Sequence, residues 1–247
     1  METKKLKVCW ISAGVSSFVA GYLERDNIDK FVYIDIDDQH PDSMRFINDC
    51  EEKLGKEIEI LKSKEYKNVE QAVRAFGGFQ NRRTHFAPCT NWLKKRVRKE
   101  WEYKHREFDI TYVWGLDMNE KHRADRLEET MIEFHHQFPL IERQLGKNEA
   151  HGICCALGVK RPIMYDLGYN NNNCIGCTKG VMGYWNKIRI DFPEVFESRA
   201  KLEREIGNTI LKGADGTPIF LDELEPSRGR MSDEIMEECN IFCYLNL

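Results

Sequence analysis

No uninterrupted apolar stretch of about 18 residues occurs anywhere in the chain, so a membrane-crossing helix is not expected. A charge surplus of one sign is also missing. The 37 basic and 41 acidic residues leave a net charge of −4, which gives no overall push toward nucleic acid or a lipid surface. Met1–Lys5 lacks the pattern of a secretion signal, and a cytoplasmic setting is the expectation. There is no internal repeat, and no low-complexity tract beyond Asn170–Asn173. What the chain has in excess is cysteine, nine in 247 residues. In a reducing compartment thiols stay free, so metal or redox chemistry is favoured over a disulfide framework, and the odd count fits closed pairs poorly. The length suffices for one sizeable core with a small appendage.

The most informative stretch is Val8–Leu23. A short apolar run, Val8-Cys9-Trp10-Ile11, has the length of one buried strand. Small residues follow, Ser12-Ala13-Gly14, and then Val15, Phe18, Val19, Tyr22 and Leu23 recur at helical spacing. Strand, small-residue loop and helix together hold a phosphate well. A helix start presents unpaired N–H groups and the positive end of the helix dipole. Gly14 allows a ligand close to the backbone, while Ser12, Ser16 and Ser17 add hydroxyls. The loop has no Lys and fits neither GxxxxGK[ST] nor GxGxxG. An ordinary strand–helix turn is the alternative.

Further along, Phe31–Ile36 reads as a second strand, a helix begins at Pro41 and stops at Gly55, and Glu57–Leu61 reads as a third strand. The β-α-β-α-β alternation predicts parallel strands with right-handed crossovers, and ligands bind beyond the carboxyl ends of such strands. Asp35 stands at one of these ends, suited to a ribose hydroxyl or Mg²⁺. The alternative there is a helix cap built from Asp38 or Gln39. A polar, glycine-rich loop spans Phe76–Cys89, and its Arg82 and Arg83 are candidate clamps for anionic oxygens. The basic helix after Cys89 carries Lys94, Lys95, Arg96, Arg98 and Lys99, flanked by Trp92 and Trp101. It is either a solvated face or a nucleic-acid contact. Asp109–Gly115 is a fourth strand, followed by Asp117, Glu120, His122, Arg123 and Arg126, in which Glu120 and Arg123 would share a helix face.

Cys174-Ile175-Gly176-Cys177 aims two thiols at one point, as a tetrahedral zinc or an iron–sulfur cluster requires, although redox pairs share the spacing. Cys89 and a tail cysteine, Cys243, complete the expected metal set. Cys9 and Cys50 lie in apolar elements and read as inert core thiols. Helices are expected over Glu149–Leu157, Met182–Ile190 and Pro193–Ile206. The expected division is a nucleotide-binding core over residues 1–147 and a helical cysteine-rich region over 148–247, packed on it as one compact unit.

These motifs carry a resemblance. The serine loop resembles the SGGxxS loop of the PP-loop ATP pyrophosphatases and the phosphoadenylylsulfate (PAPS) reductase family, with Ala13 in place of a Gly and Ser16 in place of an Asp. The Asp35 turn resembles that family's second strand and following helix. Gly115, Glu120 and Arg123 line up approximately with its Gly-x-Arg-x-x-Glu-Ser-x-x-Arg segment, though Asp117 stands where an Arg is usual. The tail residues Glu238, Cys239 and Ile241 match its Glu-Cys-Gly-Ile/Leu-His ending, whereas Asn240 and Phe242 do not. The resemblance covers roughly residues 6–190. It implies an α/β fold of the PP-loop kind, a twisted parallel sheet with helices on both faces, and adenine-nucleotide binding. Ser12, Ala13, Gly14, Ser16, Ser17, Asp35 and Gly115 would hold ATP, or PAPS or adenylylsulfate (APS), with Mg²⁺. Arg82 and Arg123 would stabilise phosphate charge. Sulfur-moving members of this branch often carry a cysteine-bound 4Fe–4S cluster, and zinc is the other candidate. The expectation is ATP-dependent sulfur transfer or adenylation, with a sulfur donor or thiol reductant as partner. A nucleic-acid acceptor and a homodimer stay open. The alternatives are reduction of PAPS or APS with Cys239 as nucleophile, or a non-catalytic nucleotide- or nucleic-acid-binding module with structural zinc.

Overall fold

Apolar runs too short for helices form the middle of the fold. The structure, a computed structural model, describes residues 4–79 and 87–233. In chain order its elements are β1 (Lys4–Ile11), α1 (Val15–Leu23), β2 (Lys30–Ile34), α2 (Asp42–Leu54), β3 (Ile58–Leu61), α3 (Val69–Phe76), α4 (Pro88–Thr90), a π turn (Asn91–Lys95), α5 (Arg96–Lys104), β4 (Phe108–Val113), α6 (Lys121–Thr130), β5 (His135–Gln137), α7 (Pro139–Glu142), α8 (Lys147–Ala156), α9 (Ile163–Asp166), α10 (Met182–Asp191), α11 (Pro193–Ile206), β6 (Leu211–Lys212) and β7 (Pro218–Ile219). They fall into two compact units. The first takes residues 1–35, 41–62 and 97–172, and the second takes 36–40, 63–96 and 173–247. Residues 147 and 148 both lie in the first unit, which runs on to Asn172.

The first unit contains a five-stranded sheet in the order β3-β2-β1-β4-β5. Every neighbouring pair is parallel. This is the α/β architecture expected from the strand–helix alternation. β1 is central, with Cys9 opposite Phe31 on one side and Val113 on the other. Its side chains alternate between the two faces. On one face α1 packs so closely that a Cβ added to Gly21 would lie 2.9 Å from the Phe31 ring and 3.2 Å from Cys9 Sγ. Phe18 and Val19 of α1, Phe46, Ile47 and Cys50 of α2, and Ala150 and Cys154 of α8 join that core. Full burial of each large apolar side chain stabilises by about 1.5–3 kcal/mol. On the other face Trp10 meets Trp101 of α5 edge-on, with ring centroids 5.6 Å apart. Helices therefore cover both faces. Burial pushes the Cys9 thiol up to about 12 and raises Cys50 as well, which keeps both as inert thiols, as expected.

Some boundaries shift. β2 stops at Ile34 instead of Ile36, and β4 at Val113 instead of Gly115. α2 ends at Gly55 in the left-handed conformation, φ 66°, as its position implied. Neither Asp38 nor Gln39 caps that helix: Gln39 Oε1 accepts from the Ile36 N–H and Asp38 Oδ2 from the Val69 N–H. β5, His135–Gln137, was not foreseen, being three polar residues at the sheet edge.

The second unit contains α3, α4, α10, α11 and the antiparallel pair β6–β7. Glu203 on α11 is fully buried and accepts the N–H groups of Ile210 and Leu221, each at 2.6 Å, so one carboxyl ties the segments flanking the hairpin to the helix. Burial lifts it to about 7 despite those two donors. Among the described residues no helix is long and apolar enough to cross a membrane.

In the first unit His136 fastens β5 to the end of β4. Its Nδ1 accepts from Trp114 Nε1 at 3.0 Å, so Nε2 carries the proton and donates to Met131 O at 3.0 Å. Burial pushes the imidazole below its usual range, against the opposing pull of the Met131 carbonyl, Glu128 and Glu133. The unfolded chain therefore takes up this proton first as pH falls, and His136 costs stability progressively below about pH 6.5. Urea midpoints at pH 7.5 and 5.5 are expected to drop less for His136→Gln than for the unaltered chain. An equal drop would assign the acid sensitivity to other groups.

Candidate nucleotide loop and cysteine turn

In the sheet order the chain runs from β1 outward to β3 and then crosses back to β4 on the opposite side of β1. The carboxyl ends of β1 and β4 thus flank a topological switch point, where ligands bind in open α/β sheets. The serine loop leaves β1 there. Gly14 is the N-cap of α1 with extended backbone, φ −104° and ψ 154°, and makes no side-chain cap. The first intrahelical bond is Phe18 N–H to Gly14 O at 3.3 Å. The N–H groups of Val15, Ser16 and Ser17 precede it and have no acceptor within the helix. Ser17 closes the loop from inside. Its hydroxyl donates to Gly14 O at 2.9 Å, accepts from the Ser12 N–H at 3.0 Å and lies 3.0 Å from Ser12 Oγ. Ser12 and Ser17 therefore build the loop, and Ser16 is buried beside them. Ala13 takes a positive φ of 59°, unusual without glycine.

Gly115 lies against this turn. A Cβ there would stand 2.3 Å from Ser17 Cα and 2.5 Å from Ser17 N. No side chain fits, which is the physical reason for glycine at the end of β4. Behind it a capping box closes the 117–120 turn: Asp117 Oδ1 accepts from the Asn119 N–H at 2.8 Å and Glu120 Oε2 from the Asp117 N–H at 3.2 Å. Arg123 Nη1 donates to Glu120 Oε1, and the guanidinium is buried. Glu120 and Arg123 do share a helix face, and the Arg charge is already matched. Asp35 accepts an ion pair from Lys62 at 2.7 Å, and the Lys is exposed, so the pair contributes little.

One polar residue of this unit escaped the sequence reading. Asn172 reaches back across the chain to donate to Ala13 O at 2.8 Å and to Ser43 Oγ at 3.0 Å. Its only sequence signal was an asparagine run read as low complexity.

The cysteine turn belongs to the second unit. Gly176 supplies the left-handed position, φ 69°. Tyr184 of α10 is fully buried; its hydroxyl accepts from the Cys177 N–H at 3.0 Å and donates to Cys174 O at 3.2 Å. Ile175 N–H donates to Asp38 O at 2.8 Å, and Asp38 also takes Arg199 Nη2. Gly180 N–H closes on Cys177 O at 3.0 Å. These bonds fasten the turn through its backbone. Cys89 Sγ lies 3.8 Å from Thr178 Oγ1, next to the turn in sequence. Among the described residues no three His, Cys, Asp or Glu side chains gather as a metal site. These residues do not by themselves fit a 4Fe–4S cluster or a four-ligand zinc. Arg82, Cys239 and Cys243 lie outside the described residues, as does Arg83. Along the basic stretch Lys94 and Arg98 are buried, Arg98 pairs with Glu102 at 3.0 Å, and Arg96 stacks on Trp92 at 3.6 Å and pairs with Glu65.

Among solved structures the chain is similar to the crystal structure of a phosphoadenylyl-sulfate reductase from Candida auris in a phosphate complex, with 12% identity, 70% of this chain and 82% of that chain covered, and a TM-score of 0.47. No family model and no curated protein matches it.

Two substitutions test these contacts. Gly115→Ala is expected to destabilise the first unit by about 3 kcal/mol or more, the upper end of overpacking penalties, because its neighbour is backbone. An unchanged urea midpoint would mean that α1 can slide away freely. Tyr184→Phe strands a buried N–H and a buried carbonyl, a loss of about 1–3 kcal/mol. Faster alkylation of Cys174 and Cys177 should accompany it, and an unaltered rate would show that Tyr184 does not hold the turn.

Proposed function

We propose that this chain is an adenine-nucleotide-binding enzyme of the PP-loop, PAPS reductase-like kind, and that it activates ATP for sulfur transfer or adenylation. One observation carries the reading: the start of α1 lies at the switch point of a parallel sheet, its N-cap Gly14 supplying no capping side chain, against a glycine with no room for a side chain. The amides of Val15, Ser16 and Ser17, with the helix dipole behind them, suit the oxygens of a pyrophosphate. Their fixed position supports catalysis, since donors already aimed at developing negative charge need no rearrangement. Asp35 suits a ribose hydroxyl or Mg²⁺ once the exposed Lys62 moves aside. Arg123 serves the fold of the 117–120 turn through Glu120. The Cys174–Cys177 pair of the second unit offers the thiols that sulfur chemistry calls for.

The test is nucleotide binding with Mg²⁺, followed by pyrophosphate release with a sulfide donor. ATP binding with pyrophosphate release supports the reading. Binding of PAPS with release of sulfite would replace it with reduction, and binding of neither nucleotide would end it. Val15→Pro removes one loop amide at a position where proline suits a helix, because Gly14 is already extended. It is expected to weaken ATP and pyrophosphate about tenfold with α1 retained, the loss of one charge-assisted hydrogen bond. Unchanged affinity would place the phosphates elsewhere.

A further inference from the structure

We propose that Asn172 is a positioning residue of the serine loop, holding Ala13 in its left-handed conformation so that the amides of the first turn of α1 stay aimed. The ligand in this proposal rests on the nucleotide reading above; the geometry does not.

Ala13 and Gln144 are the two residues other than glycine with positive φ among those described. Alanine resists that region because its Cβ crowds the backbone carbonyl. Something outside the loop has to hold it there. Asn172 is 4% exposed, and both hydrogens of its amide are spent, one on Ala13 O and one on Ser43 Oγ. Ser43 sits in the first turn of α2 and is itself buried. A single amide thus joins the exit of β1 to the start of α2. The segment leading to Asn172 is anchored first: Lys147, at the start of α8, donates to Asn170 O and to Asn171 Oδ1.

The other end of the amide strengthens the argument. Asn172 Oδ1 is buried and has no hydrogen-bond partner among the described residues. Turning the amide over would set oxygen against the Ala13 carbonyl, so the orientation is fixed. An apolar residue of similar size would fill the space with no orphaned acceptor. The donors therefore explain the asparagine, and they act on the loop. A carbonyl captured by a buried amide cannot swing toward the helix start, where its partial negative charge would oppose an anion.

The experiment compares Asn172→Leu, which removes all polarity, with Asn172→Asp, which keeps the shape and an acceptor but removes both donors. Hydrogen exchange is read at the amides of residues 14–17, and affinity for inorganic pyrophosphate by calorimetry. Both variants should exchange faster at residues 14–17 while β1 and β4 stay protected, and pyrophosphate should bind about tenfold more weakly. Adding Ala13→Gly, which removes the resistance to positive φ, should recover much of that affinity in the Asn172→Leu background. Loop exchange unchanged in either folded variant would overturn the proposal, as would an added Ala13→Gly that restores nothing. If the unaltered chain binds no pyrophosphate, the nucleotide reading fails instead, and loop exchange alone decides whether Asn172 holds the turn.

Discussion

The close approach of Gly115 to Ser17 is the constraint on which the candidate site depends. β1 is the central strand, so the helix that follows it has to begin beside the end of β4. A side chain at position 115 would occupy the space of the first-turn backbone. Glycine there lets α1 start with only three residues between it and the end of β1. So short a connection requires a sharp bend, which falls at Ala13 and is closed by Ser12, Ser17 and Asn172. Each of these residues acts on the position of backbone amides. The chemistry offered to a ligand is then largely that of the main chain, with side chains as its supports.

The cysteine turn follows the same logic in the second unit. Tyr184, Asp38 and Gly180 bond its backbone. Glu203 ties backbone in the same way, accepting the N–H groups of Ile210 and Leu221. Each such group is worth only about 1 kcal/mol net when satisfied, but its loss leaves a stranded partner. That asymmetry makes buried Tyr, Asn and Glu effective at fixing one conformation.

The fold was legible where periodicity was strong. β1 to β4, the stop of α2 at Gly55 and the whole of α11 follow from apolar spacing and helix punctuation. The serine loop and Gly115 were also readable, because small residues between a strand and a helix have few other uses. β5 was not, since His135-His136-Gln137 carries no apolar alternation and pairs only as a sheet edge. A local cap by Asp38 or Gln39 was one of two readings of the Asp35 turn, yet Asp38 bonds Val69, Ile175 and Arg199. Asn172 and Tyr184 act on residues that the spacing of their own segments does not reveal. Asn172 meets a carbonyl 159 positions earlier, and nothing in an asparagine run announces that. Long-range hydrogen bonds to backbone leave no periodic trace, so residues that position a site are harder to read than those that form its elements.

Two of the positive side chains singled out in the sequence are held by carboxylates of the fold. Arg123 and Arg98 drew attention as anion or nucleic-acid contacts, but each is buried against a glutamate of its own helix or the turn before it. A buried guanidinium needs that carboxylate, because an unmatched charge away from water is far more costly than an unmatched amide. Free helix-start amides need no counter-charge. They carry only partial charge, lose little on desolvation and still point several donors at one place. A ligand held by the first-turn amides of α1 would draw its attraction from the main chain. Such a site places the demand for precision on the residues that bend the chain, which is why an alanine with positive φ and a glycine without room for a methyl group say more about it than the buried Arg98 and Arg123 do.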